Sequence, residues 1–369
     1  MRKTKIIVTI GPSSRDPDTL ERLITGGMDC ARLNFSHSTH AEHAEVIESI
    51  RRLSKKHNRP VAVLQDLGGI KLRLGRMDEP VQLNSGAIVA MSPDSQSDEA
   101  DVLPFPQPEV FKNLREGSHV FMADGSVLSE VIEVTPARVY MRVLTSGVVS
   151  SYKGVNLPGL AIDAPVFTSK DEADLLFGVE QNVDWVAVSF VRTAKDILYA
   201  REKLDAAGSK AFVMAKLERG EGIDNIYSIL PEVDAVMVAR GDLGVEIPME
   251  KVPKVQKAIV HKANEAGKVS VIATQILRSM VVSPTPTRAE ISDITNAVLD
   301  GCDAILLSDE TAMGNYPVEA LKVAAATINE SEEIYPYFKD MSARDRTQAI
   351  TSAAARLGQK SGLRCGSAR

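Results

Sequence analysis

The chain has 369 residues, more than one ordinary domain, with 44% hydrophobic and 25% charged residues, a common globular composition. A formal net charge of −6, with no basic block interleaved with aromatics, argues against a nucleic-acid partner. No apolar stretch approaches the roughly 18 residues of a membrane span, and the N-terminal run Ile6–Ile10 is too short for a signal sequence and runs into Gly11-Pro12. Three cysteines (Cys30, Cys302, Cys365), odd in number and without metal spacing, fit a reducing, cytoplasmic setting.

Eight β-branched-rich segments recur along the chain: Thr4–Ile10, Asp29–Phe35, Val61–Leu67, Asp184–Phe190, Ala211–Leu217, Ala235–Gly241, Val269–Thr274 and Asp303–Ser308. Several are apolar on both faces, as parallel strands covered on both sides must be. Helical patterns separate them at Asp18–Gly26, Thr39–Lys56, Ser169–Gln181, Ala194–Ala207, Glu250–Ala266 and Arg288–Leu299. Eight such units close a TIM (β/α)8 barrel; an open doubly wound sheet is the alternative, and eight similar strands favour closure. Between the third and fourth strands the text changes to short strand-like runs (Ala87–Met91, His119–Met122, Val127–Val134, Arg138–Val143) rich in Gly, Pro, Ser and Asp. This predicts a small, β-barrel-like domain inserted in a barrel loop, where it would act as a lid. The expected organisation is a first barrel part over residues 1–70, a lid over 71–157, a second barrel part over 158–335 and a remainder over 336–369, in which Arg346–Gln359 reads as one helix and "SGLRCGSAR" as unstructured.

Functional residues of such a barrel belong where its strands end. The second strand ends in "ARLNFSHS" (Arg32, Asn34, Ser36) and the third in "QDLGGIKLR" (Asp66, Lys71, Arg73). The fifth ends in "AKLE" (Lys216, Glu218), the sixth in "ARGD" (Arg240, Gly241, Asp242), the seventh in "ATQ" (Thr274, Gln275) and the eighth in "LLSDET" (Ser308, Asp309, Glu310). One such cluster alone reads as an ion pair on the barrel rim; six on one end point to a site. Glu218 and Asp242 are hard oxygen donors on successive strands, suited to Mg2+ or Mn2+. Lys216, Arg32 and Arg73 are cations able to converge on an anion. His37, His40 and His43 read as a solvated helix start rather than a metal site, and no Ser-His-Asp set, P-loop or dinucleotide fingerprint can be assembled. The residues alone lead to a metal-dependent barrel enzyme for a small anionic substrate, with a lid.

Seven segments go further. "TKIIVTIGPSS", "GMDCARLNFSHSTHAEH", "SSYKGVNLPG", "VMAKLERGEGIDNI", "VMVARGDLGVEIP", "VIATQILRSM" and "PTPTRAEISDITNAVLDGCDAILLSDETAMGNYPVEA" resemble the pyruvate kinase family, in family order from Thr4 to about Ala326. The resemblance implies transfer of the phosphoryl group of phosphoenolpyruvate to ADP, giving pyruvate and ATP, with Mg2+ or Mn2+ held by Glu218 and Asp242. It implies that Lys216 is the catalytic lysine, that Arg32 meets the phosphate, and that Gly241, Asp242 and Thr274 border the substrate, Thr274 on the face where the enolate carbon is protonated. Asn34, Arg73 and, on the lid, Lys153 match nucleotide contacts. A homo-oligomer assembled through the barrel is a further implication. The remaining alternatives are another metal-dependent barrel enzyme acting on phosphoenolpyruvate or pyruvate, and an inactive protomer. A nucleotide-binding lid argues against the first and the intact Lys216, Glu218, Asp242 and Thr274 against the second.

Two departures from the family pattern stand out. Many members bind K+ through residues matching Asn34, Ser36, Asp66 and Leu67, and carry glutamate where this chain has Lys71; Ile70 replaces the usual proline beside it. A lysine ammonium there would supply the charge of K+, so activity independent of K+ is expected. Full-size members also carry a further α/β domain with effector sites, and "TQAITSAAARLGQKSG" resembles only its first helix, so weak or absent regulation through that domain is expected.

Overall fold

The computed structural model describes residues 2–97, 99, 101–111, 113–123, 125–160, 167–336 and 346–360; Cys365 and "SGLRCGSAR" lie outside them. The first three strands are β1 (Lys5–Thr9), β2 (Cys30–Asn34) and β3 (Ala62–Asp66). Eight short strands follow before the pattern resumes: β4 (Val81–Leu83), β5 (Ile88–Ser92), β6 (Val102–Pro104), β7 (His119–Met122), β8 (Val127–Val134), β9 (Val139–Val143), β10 (Gly147–Val149) and β11 (Val155–Asn156). The last five are β12 (Trp185–Val188), β13 (Phe212–Leu217), β14 (Ala235–Ala239), β15 (Val269–Ala273) and β16 (Ala304–Leu307). Strands β1–β3 and β12–β16 close into one parallel barrel in the order β1-β16-β15-β14-β13-β12-β3-β2, the (β/α)8 architecture. The strands between them form a six-stranded sheet (β11-β7-β8-β9-β5-β6) and a two-stranded one (β10-β4) with an apolar core of their own, centred on residues such as Phe105, Val120, Met122, Val131 and Met141.

Barrel helices run over Pro17–Gly26, His40–Lys56, Ser169–Glu180, Ala194–Ala206, Val252–Glu265, Arg288–Asp300 and Pro317–Glu333. Their starts are fixed locally: Thr39 with Glu42, Thr168 with Asp171 and Thr287 with Glu290 form reciprocal capping boxes, each satisfying backbone N–H groups that the first turn leaves unpaired. Arg346–Lys360 is helical, with Ile350 and Leu357 exposed. The sixth strand stops two residues earlier than its pattern indicates. Arg240–Glu246 is a short helix, so Gly241 and Asp242 lie in a helical first turn rather than on a strand.

Side-chain alternation along the strands positions everything that follows. One residue set faces the surrounding helices (Val8, Ala31, Val63, Val186, Val213, Ala215, Val236, Ile272, Ile305). The other fills the barrel interior: Ile7, Leu64, Ala187, Met214, Ala235, Met237, Val271, Ala273, Ala304 and Leu306. Because strand side chains alternate with period two, the next inward position after this apolar layer is Thr9, Asp66, Ser189 or Lys216. The barrel therefore changes from hydrocarbon to polar and ionic groups within a single layer at its C-terminal end.

Candidate active site

Lys216 stands at the centre of that layer. Its Nζ donates to Ser189 Oγ at 2.7 Å and pairs with Glu218 Oε1 at 3.1 Å and Asp66 Oδ1 at 3.2 Å. Asp66 uses its other oxygen for Arg32 Nε at 2.6 Å, and Arg32 also donates to Thr9 Oγ1. Asp66, Ser189 and Glu218 are each at most 2% exposed, so these charges act through little solvent. Burial works against the Lys216 ammonium, but Asp66 and Glu218 outweigh it and hold its pKa above the ordinary lysine value. Burial likewise opposes the Asp66 carboxylate, and Lys216 and Arg32 overcome it, leaving Asp66 below its usual value. Glu218 goes the other way: burial raises it, Lys216 opposes, and the Asp242 and Asp66 carboxylates add to the rise. Glu218 also accepts a hydrogen bond from the backbone N–H of Phe190, at 2.8 Å.

Ser189 and Thr9 are members of this cluster that motif reading passed over. Both were recoverable by counting two residues past an inward apolar position, Ala187 or Ile7. Ser189 also donates to the Leu67 carbonyl at 2.7 Å, tying the end of β3 to the ammonium.

The seventh strand ends in left-handed backbone, with φ of 71° at Thr274 and 53° at Gln275, a conformation that opposes a β-branched residue. Thr274 is held there from two sides. Its Oγ1 accepts from Gly241 N at 2.8 Å, and its carbonyl accepts from Arg240, which in turn pairs with Asp293. Gly241 thus gives its N–H to Thr274. Asp242, one residue further, accepts from Lys71 Nζ at 2.9 Å. A cavity of about 810 Å³ opens beside this turn, lined by Arg240, Gly241, Gln275, Val245 and Met249, by Phe121 and Gly125 of the inserted region, and by Pro158 just after it. Lys216, Glu218 and Asp242 are not among its lining residues.

Outside the strands of the inserted sheets, Arg73 bridges to Gly154, and Leu74 N donates to the Lys153 carbonyl, so Arg73 and Lys153 sit on adjoining backbone. Arg73 donates to Tyr152 O, and Lys153 is exposed. Asn34 Oδ1 accepts from Ser36 N, and Ser36 is exposed. Three of the four expected cation donors are thus engaged within the protein: Asn34 by Ser36 N, Leu67 O by Ser189, and Asp66 by Arg32 and Lys216. Of the three histidines, His37 and His40 are exposed at the helix start, as the sequence indicates, and His43 departs from that reading. His43 is buried, stacked on Phe35 with ring centroids 4.1 Å apart, and bonds the His37 carbonyl, while His40 pairs with the buried Asp174.

Among the described residues no three His, Cys, Asp or Glu side chains gather into a metal-holding group. Glu218 and Asp242 are two hard carboxylate donors whose charges already draw cations, Lys216 to one and Lys71 to the other. That arrangement fits Mg2+ or Mn2+, which keep waters and use substrate oxygens beside one or two protein carboxylates. Among the described residues no helix is long and apolar enough to cross a membrane.

Known proteins agree with this architecture. The family model described as "Pyruvate kinase, barrel domain" matches residues 1–321. The chain is 43% identical over 365 residues to the pyruvate kinase of Sporosarcina psychrophila, covering 96% of this chain and 62% of that protein. It is 44% identical to the Agrobacterium vitis enzyme over 90% of this chain and 69% of the relative, and 41% identical to that of Geobacillus stearothermophilus over 97% and 62%. The chain thus spans about three-fifths of the length of most of these relatives. With a barrel match over most of its length and identities above 40% across that barrel, the chain belongs to the pyruvate kinase family.

Proposed function

We propose that the chain transfers the phosphoryl group of phosphoenolpyruvate to ADP, giving pyruvate and ATP. The observation that carries this reading is the buried Lys216 ammonium, held charged by Asp66 and Glu218 at the barrel mouth and flanked by Arg32. In the reaction the bond between phosphorus and the enolate oxygen breaks, a bond from phosphorus to a β-phosphate oxygen of ADP forms, and the enolate carbon takes a proton to become the methyl group of pyruvate. Little covalent chemistry is asked of the protein; positioning and charge neutralisation do most of it. Lys216 stabilises the phosphoryl group in flight and the oxygen left behind as enolate, and Arg32 holds the phosphate. Thr274 Oγ1 accepts from Gly241 and keeps its own proton to donate, which suits a contact to the substrate carboxylate and the later protonation of carbon. Asn34, Arg73 and Lys153 meet the nucleotide, the last two from adjoining backbone at the edge of the inserted region. Glu218 and Asp242 would hold the divalent metal, whose charge, when bound, neutralises the substrate's phosphate and carboxylate.

In this reading Lys71 replaces the charge of K+, and turnover does not need that ion. One coupled assay tests both statements: pyruvate formation from phosphoenolpyruvate, ADP and Mg2+, run in K+ and in tetramethylammonium buffer. Turnover in both supports them. No pyruvate in either buffer overturns the activity, and a large loss confined to tetramethylammonium overturns K+ independence alone.

A further inference from the structure

Lys71 stands in the segment that carries the chain from the end of β3 into the inserted sheets. The start of that segment is pinned. Gly69 has a left-handed φ of 64°, donates its N–H to Asp171 Oδ1 at 3.0 Å, and packs so close to β12 that an added Cβ would lie 2.9 Å from Ser189 Cβ. Its far side is pinned as well: the Leu72 carbonyl accepts from Val155 N, and Arg73 bridges to Gly154. Between these two anchors the Lys71 side chain reaches across to the helix Arg240–Glu246 and donates to Asp242 Oδ1 at 2.9 Å. The two side chains are 23% and 26% exposed, sheltered enough for the pair to matter and open enough for it to exchange.

The same carboxylate is one of the two that the proposed function gives to the divalent metal. An ammonium and a doubly charged ion on one carboxylate repel each other strongly; Lys216 at Glu218 meets the same repulsion but keeps Asp66 and Ser189 as further partners. We infer that Lys71 is an internal competitor for the metal site: it holds Asp242, and the metal takes that carboxylate only by displacing the lysine. The inference rests on the reading of Glu218 and Asp242 as metal donors. It gives Lys71 a role apart from replacing K+, because displacement breaks the side-chain contact between the segment at Lys71 and Asp242 in the helix Arg240–Glu246. Metal binding and the freedom of the segment leading to the lid become one equilibrium.

The test uses Mn2+ alone, without substrates, with bound and free ion distinguished by electron paramagnetic resonance in the intact chain. Lys71→Gln is expected to tighten Mn2+ binding by about two- to fivefold, the range for losing a partly exposed ion pair as a competitor. In wild type, Mn2+ is expected to speed amide hydrogen exchange across residues 70–73, and in Lys71→Gln exchange there is already fast. Arg73→Gln removes a neighbouring cation that bonds Tyr152 rather than Asp242, and is expected to leave Mn2+ affinity unchanged. Unchanged or weaker binding in Lys71→Gln overturns the inference, as does equal tightening in Arg73→Gln, which would mark a general charge effect. If Asp242→Asn and Glu218→Gln both bind Mn2+ like wild type, the metal site itself is refuted, a failure separate from that of the competitor.

Discussion

Ser189→Ala isolates the group that orients the central lysine without removing any charge. Ser189 is 2% exposed, and its hydroxyl accepts from Lys216 Nζ and donates to the Leu67 carbonyl, both at 2.7 Å. A hydrogen bond to a charged group contributes about 1.5–3 kcal/mol, and a buried partner left unpaired costs a similar amount. The loss falls on two observables. Stability should drop by roughly 2 kcal/mol, lowering the melting temperature by a few degrees. If a loss of about 2 kcal/mol also falls on the transition state, kcat declines about 30-fold, since about 1.4 kcal/mol is a factor of ten. Asp66 and Glu218 still grip the ammonium, so the loss stays well short of deleting the lysine. KM for phosphoenolpyruvate should hardly move, because Arg32 and Thr274 keep their own partners. Steady-state kinetics with a thermal melt on the same sample decide it. A kcat within twofold of wild type, with an unchanged melt, would refute the view that Ser189 positions Lys216.

Lys216→Met should reduce turnover by several orders of magnitude while Mn2+ binding, measured directly, persists; loss of metal binding in step with activity would show a structural role instead. Thr274→Ala removes the acceptor for Gly241 N and should lower kcat by roughly tenfold, whereas Thr274→Ser keeps it and should remain near wild type; equal losses in both would assign the effect to the backbone rather than the hydroxyl. His43 carries the pH prediction. Burial is the largest influence on it and holds it below the ordinary value of 6.5, against the His37 carbonyl and the Asp174 charge, which favour protonation. Its folded-state pKa is therefore depressed. The stability it contributes is present above 6.5 and lost as pH falls through the folded value. His43→Phe, which retains an aromatic ring for Phe35, should flatten the loss of stability below pH 6.5 in denaturant melts. An unchanged acid slope would place that sensitivity elsewhere.

The barrel was legible because its strands are buried on both faces and announce themselves as continuous apolar runs, and six helix positions follow from period and capping residues. The inserted sheets were half legible. β4, β6, β10 and β11 have two or three residues each, and β4 pairs with β10 across more than sixty positions (Leu83 with Gly147), a partnership that no local pattern encodes. The end of β14 was misplaced because Gly241 was the first breaker signal after the apolar run, while the helix starts before it, at Arg240, which reaches Thr274 and Asp293. His43 was read as solvated from its polarity, yet it shares the spacing of Ile47, Ile50 and Leu53 on the buried helix face. Ser189 and Thr9 were hidden for a different reason. Small hydroxyls draw no notice until strand parity places them inward beside a buried cation.

The two strained turns explain how such a site keeps its geometry. Phe190, with φ of 55°, and Thr274, with φ of 71°, are the residues immediately after Ser189 and Ala273 at the ends of two barrel strands. Neither is glycine, and such conformations cost on the order of 1–3 kcal/mol each. Each turn touches a proposed site residue: Phe190 N–H donates to Glu218, and the Thr274 hydroxyl accepts from Gly241 while its carbonyl accepts from Arg240. Glu218 gains most from this, because burial and two neighbouring carboxylates work against its charge, and Phe190 N–H joins Lys216 in favouring it. A closed barrel can hold these conformations because the strands below are buried on both faces and paired on both edges, leaving the backbone no cheaper arrangement. The rigidity of the apolar layer and the strain of the turns above it are thus two parts of one device, which fixes charged groups where water is scarce.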